Sequence, residues 1–262
     1  LKQVTLGLEP VARSSLSDAV FDQLAEQILS QRIEPGAPLP PERELAKALG
    51  VNRGAIREGL KRLAQAGLIE QRHGGGTTVL DYRRHAGLEL LTRLLVSPAG
   101  DPDRRVARSI MEMRAALAPD IARLCAVRAA PSLCALLREL VLDMRHAAGE
   151  REDLERLQVL SLELWDLLVQ GSENIAYRLA FNTLRDTYEQ IRGALVIALA
   201  DELRQVELCA ALVDAIEARD PQAAHAHASA IVQRGSEGIL AALDLLEQLD
   251  AARPKPPKRD MT

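Results

Sequence analysis

The chain has 262 residues, 47% hydrophobic, 27% charged and only 2% aromatic, with a formal net charge of −4. At this length one large or two modest domains are expected, and the Ala- and Leu-rich, aromatic-poor composition favours helices over sheets. No apolar run reaches the ~18 residues of a membrane span and no secretory signal pattern is present, so a cytoplasmic protein with no membrane partner is expected.

The charge is unevenly spread. Residues 1–80 carry net +1, residues 81–250 net −8 and residues 251–262 net +3, which suggests a small block and a large acidic block with separate tasks. Residues 1–14 lack periodicity and read as an extended arm. From Ser17, a candidate cap, the apolar positions Val20, Leu24, Ile28 and Leu29 follow helical spacing. The stretch RIEPGAPLPPE, with four prolines and a glycine, breaks that helix. Pro41 suits the first turn of a second helix, PERELAKALG, which Gly50 ends. A third helix, VNRGAIREGLKRLAQAG, is capped by Asn52 and closed by Gly67. Residues 68–72 and 77–80 are short and β-capable, with His73 and three glycines between them.

Beyond residue 80, GLELLTRLL predicts a short helix and VSPAGDPD a linker. Six long helices are expected at 103–129, 131–148, 151–170, 173–199, 201–219 and 221–249, with Pro119 a candidate kink or split in the first. Helix 151–170 is apolar nearly all round in its second half, which predicts a central position. Cys125, Cys134 and Cys209 lie in apolar helical sequence without CxxC spacing and read as buried thiols in a reducing compartment. The tail ARPKPPKRDMT reads as disordered. The predicted fold is mainly α: a winged helix-turn-helix with a small β-hairpin wing, plus an all-α antiparallel helical bundle. The boundaries are an arm at 1–14, a winged-helix domain at 15–80, a linker with a short helix at 81–102, the bundle at 103–249 and a basic tail at 250–262.

The stretch HGGG at 73–76 has three competing readings. A phosphate cradle needs a glycine-rich loop between a strand and a helix, and β-capable sequence follows instead. An oxyanion hole needs a G-x-S-x-G elbow on an α/β sheet; RGSEG at 234–238 has the wrong spacing and lies in helical sequence. A hairpin tip fits, because glycines permit a tight turn and His73 would project from it. Three helices and a hairpin make a winged helix-turn-helix, whose third helix presents Asn52, Arg53 and Arg57 while Ile56, Leu60 and Leu63 face the core.

The run PLPPERELAKALGVNRGAIREGLKRLAQAGLIEQRHGGGTTV resembles the N-terminal domain of GntR-superfamily transcription factors over about residues 15 to 80. The resemblance implies DNA contacts from Arg43, Asn52, Arg53, Gly54, Arg57, His73 and Gly74. Gly54 and Ala55 stand where relatives often carry hydroxyl or polar side chains, so operator preference does not transfer.

The remainder resembles the FCD ligand-binding bundle of the FadR subfamily, through IMEMRAALAPDIARLCAVRAA, LWDLLVQGSEN and LVDAIEARDPQAAHAHASAIV. Many members hold a divalent metal with one Asp and three His. The positions that match here carry Ser161, Trp165, Cys209 and Ile231, which is not a plausible ligand set for a hard or borderline cation. A metal-free pocket is therefore expected, with a fatty acyl-CoA or fatty-acid-like effector and no cofactor. Arg114, Asn174, Arg185 and Tyr188 are candidate effector contacts beside those four. Each has a plainer reading: Arg114 pairs with a carboxylate, Asn174 caps a helix, Arg185 lies on the surface, and Tyr188 and Trp165 are core. His225 and His227, two apart on a helix, read as surface or rim residues.

The expected protein is a homodimeric, effector-responsive regulator of a palindromic double-stranded DNA operator, more readily a repressor than an activator, and not an enzyme. The alternatives are a small carboxylic acid effector held by arginine, an architectural DNA binder without an effector, and a metal-dependent enzyme.

Overall fold

In a computed structural model, residues 16–72, 76–95, 102–149 and 151–252 are described. The chain divides into two units, Leu1–Leu90 and Leu91–Thr262.

The first unit opens with α1 (Leu16–Leu29), α2 (Glu42–Leu49) and α3 (Arg53–Gln65). Ser17 lies inside α1 rather than at a cap. Helix α1 packs mainly on α3, and their shared core is Val20, Phe21, Leu24, Ile56, Leu60 and Leu63. Gly50 takes a left-handed conformation, φ 66°, at the end of α2, which a side chain would resist. Its amide and that of Val51 both bond the Ala46 carbonyl, so α2 turns directly into α3. Gly67 also has positive φ, 69°, and a Cβ there would collide with the His85 carbonyl.

Strands β1 (Ile69–Arg72) and β2 (Gly76–Val79) pair antiparallel, Ile69 opposite Val79 and Arg72 opposite Gly76. The proline-rich stretch is more than a breaker. It lies along the outer edge of β2, with Leu39 N bonding Thr77 O (2.8 Å) and Val79 N bonding Ala37 O (2.9 Å). That edge is thereby covered rather than left open. His73 and Gly74 lie outside the described residues, as do the arm at 1–14 and the tail from 253. After the hairpin come α4 (Tyr82–His85) and a 3₁₀ turn at Leu88–Leu90.

The second unit contains α5 (Leu91–Leu95), α6 (Arg104–Arg128), α7 (Pro131–Ala147), α8 (Leu154–Gly171), α9 (Ile175–Leu195), α10 (Ala200–Leu203), α11 (Val206–Glu217) and α12 (Pro221–Ala252). The helix expected at 201–219 is therefore two, α10 and α11. Helix α6 runs through Pro119 without a split. Asp103, Asp153 and Asn174 cap α6, α8 and α9 through side-chain bonds to backbone amides in the first turn. Helix α8 touches α6, α7, α9 and α10, and buries Leu157, Leu160, Leu164 and Leu168 completely. The most extensive helix pairing is between α6 and α12, so α6 shares the central position expected of α8. Cys125, Cys134 and Cys209 are buried free thiols; burial pushes those of Cys125 and Cys209 up to about 12, well into the unreactive range. No helix among the described residues is long and apolar enough to cross a membrane.

Candidate functional site

Helix α3 is amphipathic in the way a groove-reading helix requires. Ile56, Gly59, Leu60 and Leu63 are buried, while Asn52, Arg53, Gly54 and Arg57 are exposed. The Asn52 side-chain oxygen accepts the Ala55 amide at 2.9 Å, so this residue already serves as the helix cap. A Cβ on Gly54 would stand 3.1 Å from that oxygen, so glycine leaves room for the cap. Arg57 Nε donates to Glu42 at 2.8 Å, tying α3 to α2 across an exposed surface. Arg43 is exposed on α2. Arg62, by contrast, is committed to the fold: it pairs with Asp18 and lies 4.9 Å from the Phe21 ring centroid. The α2–α3 surface thus carries Arg43, Arg53 and Arg57 outward, on a helix whose opposite face is core.

The second unit contains a cavity of about 330 Å³. Its long wall is α6, where Ala107, Ile110, Arg114, Leu117 and Ile121 follow helical spacing. Those positions span roughly 21 Å of helix axis. Helix α8 adds Ser161, Leu162 and Trp165; α9 adds Phe181, Arg185, Tyr188 and Ile191; α12 closes it with Ile239 and Leu243. The lining is overwhelmingly apolar, which suits a lipid-like guest.

The polar groups of this lining are nearly all engaged. Arg114 makes a bidentate pair with Glu202, Nη1 to Oε2 at 2.9 Å and Nη2 to Oε1. Glu202 is 4% exposed. Arg185 meets Asp166 at 3.4 Å. Tyr177 donates to Asp120 at 2.8 Å, and this bond, with burial, holds its hydroxyl above the usual range. Tyr188 is pushed up to about 12, first by burial. Thr187 donates to the Thr183 carbonyl at 2.9 Å and pairs with Thr92 at 2.6 Å. Trp165 Nε1 is buried with no hydrogen-bond partner among the described residues.

Arg114, Ser161, Trp165, Arg185 and Tyr188 therefore come together around one cavity. Three other candidates do not line it. Asn174 caps α9, accepting the Ala176 amide at 3.0 Å and the Tyr177 amide at 3.3 Å, which is its plainer role. Cys209 and Ile231 are packed into the helical core, because both sit on apolar faces against neighbouring helices. His225 is exposed and His227 half-buried on α12, and neither lines the cavity.

Residues 16–79 match the model of the bacterial regulatory proteins of the gntR family, and residues 109–234 match the FCD domain. The transcriptional regulator Mce2R of Mycobacterium tuberculosis is 40% identical over 238 residues, which cover 91% of this chain and 97% of that one. This chain is a GntR-family regulator. The fatty acid metabolism regulator protein of Serratia proteamaculans is 30% identical over 172 residues, 65% of this chain and 68% of that protein. The solved structure of Lar, which controls expression of the Listeria monocytogenes agr system, shares the fold with a TM-score of 0.51 at 14% identity, over 87% of this chain and 98% of Lar.

Within this GntR-family regulator the metal positions of the subfamily do not suit a cation. Ser161 and Trp165 line the cavity, whereas Cys209 and Ile231 lie in the packed core, and Ser, Trp, a thiol with a raised pKa and Ile are not a ligand set. Among the described residues no group of three or more His, Cys, Asp or Glu is placed to hold a metal.

Sequence reasoning missed Glu202, the most buried carboxylate at the cavity. Its signal was slight: of the adjacent acids Asp201 and Glu202 between the buried Leu199 and Leu203, only Glu202 turns inward. RGSEG lies within α12, as its helical setting predicted, but its glycines have a packing role that the sequence did not show. Gly235 and Gly238 are close-approach points on α12: a Cβ on Gly235 would overlap the Glu202 carboxylate, and one on Gly238 the Ala198 carbonyl.

Proposed function

We propose that this regulator is a homodimeric repressor whose winged helices hold a short palindromic operator, and whose FCD domain senses a fatty acyl-CoA or fatty-acid-like ligand without metal. The observation that carries the reading is the long apolar cavity along α6, with its two arginines already engaged by carboxylates. The name of the Serratia relative, a fatty acid metabolism regulator, supports it. A small carboxylic acid effector is disfavoured because Arg114 is not free to hold it.

On the DNA side, Arg53 and Arg57 contact base edges, Arg43 and the wing residues His73 and Gly74 approach the backbone and groove, and phosphate contacts give salt-dependent affinity. Arg57 leaves Glu42 to do so. The protein works by binding alone: an acyl ligand favours one arrangement of the helical domain over another, and that difference in affinity is coupled to DNA release. Thermal melts with an acyl-CoA series and an organic-acid series test the reading. Stabilisation by long-chain acyl-CoA alone is expected; stabilisation only by small hydroxy acids, or by nothing, overturns it.

A further inference from the structure

The cavity is apolar, yet an arginine side chain stands in its wall. A guanidinium in such a place ordinarily serves to hold an anionic ligand. Here the site is taken from within. Both terminal nitrogens of Arg114 bond the two oxygens of Glu202, and the carboxylate is almost wholly buried. Glycine at 235 provides the space in which that carboxylate lies, since any side chain there would displace it. Arg185, the other cation of the lining, faces Asp166 at 3.4 Å and Asp186 at 4.0 Å. The lining therefore has no uncommitted positive charge for a ligand. A carboxylate entering beside Arg114 would place a second anion against Glu202 in a medium of low dielectric, where like charges repel strongly and neither is hydrated. One donor remains unspent. Trp165 is 7% exposed and belongs to the cavity wall, and its Nε1–H, covered by neighbouring side chains, has no acceptor among the described residues, so an entering acceptor reaches it by shifting that cover. A neutral oxygen acceptor is enough to satisfy a buried N–H without a partner.

We propose that Glu202 sets the charge selectivity of this cavity: by neutralising Arg114 it makes the site a receptor for an uncharged apolar chain that carries a hydrogen-bond acceptor oxygen, which bonds Trp165 Nε1, and it excludes free carboxylates. The inference rests on the cavity being the effector site and narrows the ligand to an ester- or thioester-type carbonyl rather than a free fatty acid.

The chain's one tryptophan lines the cavity, so its emission reports occupancy directly. The experiment titrates the full-length protein with methyl dodecanoate and with dodecanoate, two ligands alike in chain and different in charge. Wild type should bind the ester at least tenfold more tightly than the acid. Glu202→Gln, which leaves the charge of Arg114 unopposed, should raise affinity for dodecanoate at least tenfold relative to the ester. The double variant Arg114→Gln/Glu202→Gln, neutral at both positions, should return to preferring the ester. Equal binding of acid and ester by wild type, or an unchanged ratio in Glu202→Gln, overturns the role of Glu202 while leaving an apolar effector site standing. Binding of neither ligand to wild type overturns the effector reading and this inference with it. If Glu202→Gln fails to fold, the wild-type ratio and the double variant decide.

Discussion

Gly235→Ala sets two effects of opposite sign against each other. In a helix interior alanine is favoured over glycine by ~1 kcal/mol, so on helix propensity alone the change in α12 stabilises. The new Cβ, however, occupies the place of the Glu202 carboxylate and comes within 3.0 Å of Arg114 Nη1. Glu202 can swing away only by giving up its bidentate contact. Breaking a buried ion pair costs ~3–5 kcal/mol when both charges are enclosed. Arg114 keeps 22% of its side-chain surface in solvent, against 4% for Glu202. Partial hydration brings the cost to ~2–3 kcal/mol. The net effect is a loss of ~1–2 kcal/mol, or a fall in Tm of about 2–8 °C for a domain of this size. Thermal melts of four proteins measure it: wild type, Gly235→Ala, Glu202→Ala and the double variant. In the Glu202→Ala background the collision with the carboxylate is gone and only the flexible end of Arg114 must shift, so the same glycine substitution should raise Tm by about 2–4 °C. A rise in Tm for Gly235→Ala in the wild-type background would refute the argument, because it would mean that the carboxylate relocates without cost.

Three further outcomes are expected. Arg53→Ala and Arg57→Ala should each cost about 1–3 kcal/mol of specific DNA affinity by fluorescence anisotropy, with little change in Tm since both side chains are exposed; unchanged affinity removes them from the interface. The carboxyl of Asp120 is held below the usual range, chiefly by the hydrogen bond from Arg123, with Tyr177 adding to it. Its folded-state pKa is depressed, so its contribution is present above the ordinary carboxylate pKa and lost as pH falls through the depressed value; Asp120→Asn should lose less Tm than wild type between about pH 5 and about pH 3. Elemental analysis of the purified protein should find no stoichiometric zinc, nickel or manganese, and a tightly bound ion would show that the ligand positions lie elsewhere in the bundle.

The DNA-binding unit was legible in sequence because local signals agree there. Pro41, Gly50, Asn52 and Gly67 punctuate the helices where the structure begins and ends them. The pairing of residues 37–39 with 77–79 was not legible, since proline-rich sequence reads as a breaker and its carbonyls and remaining amides advertise nothing. In the helical unit, periodicity located the long helices but did not resolve the break at Arg204 and Gln205, which no proline or glycine marks. Arg114, Ser161 and Trp165 were placed on the cavity because helix spacing and family pattern coincide at those positions. Cys209 and Ile231 were expected there on the same family pattern, but both lie in the helical core and do not line the cavity. The Arg114–Glu202 pair joins residues 88 apart, and no local pattern encodes such a partner.

Filling the cavity should loosen the grip on DNA. The direct measurement is fluorescence anisotropy of a labelled duplex selected by the purified protein, titrated with a long-chain acyl-CoA while Trp165 emission is followed in the same sample. DNA release should track cavity occupancy at the same ligand concentrations, and a Trp165→Phe variant should need more ligand to release the duplex. Ligand that saturates the Trp165 signal while the duplex stays bound at unchanged affinity would contradict it.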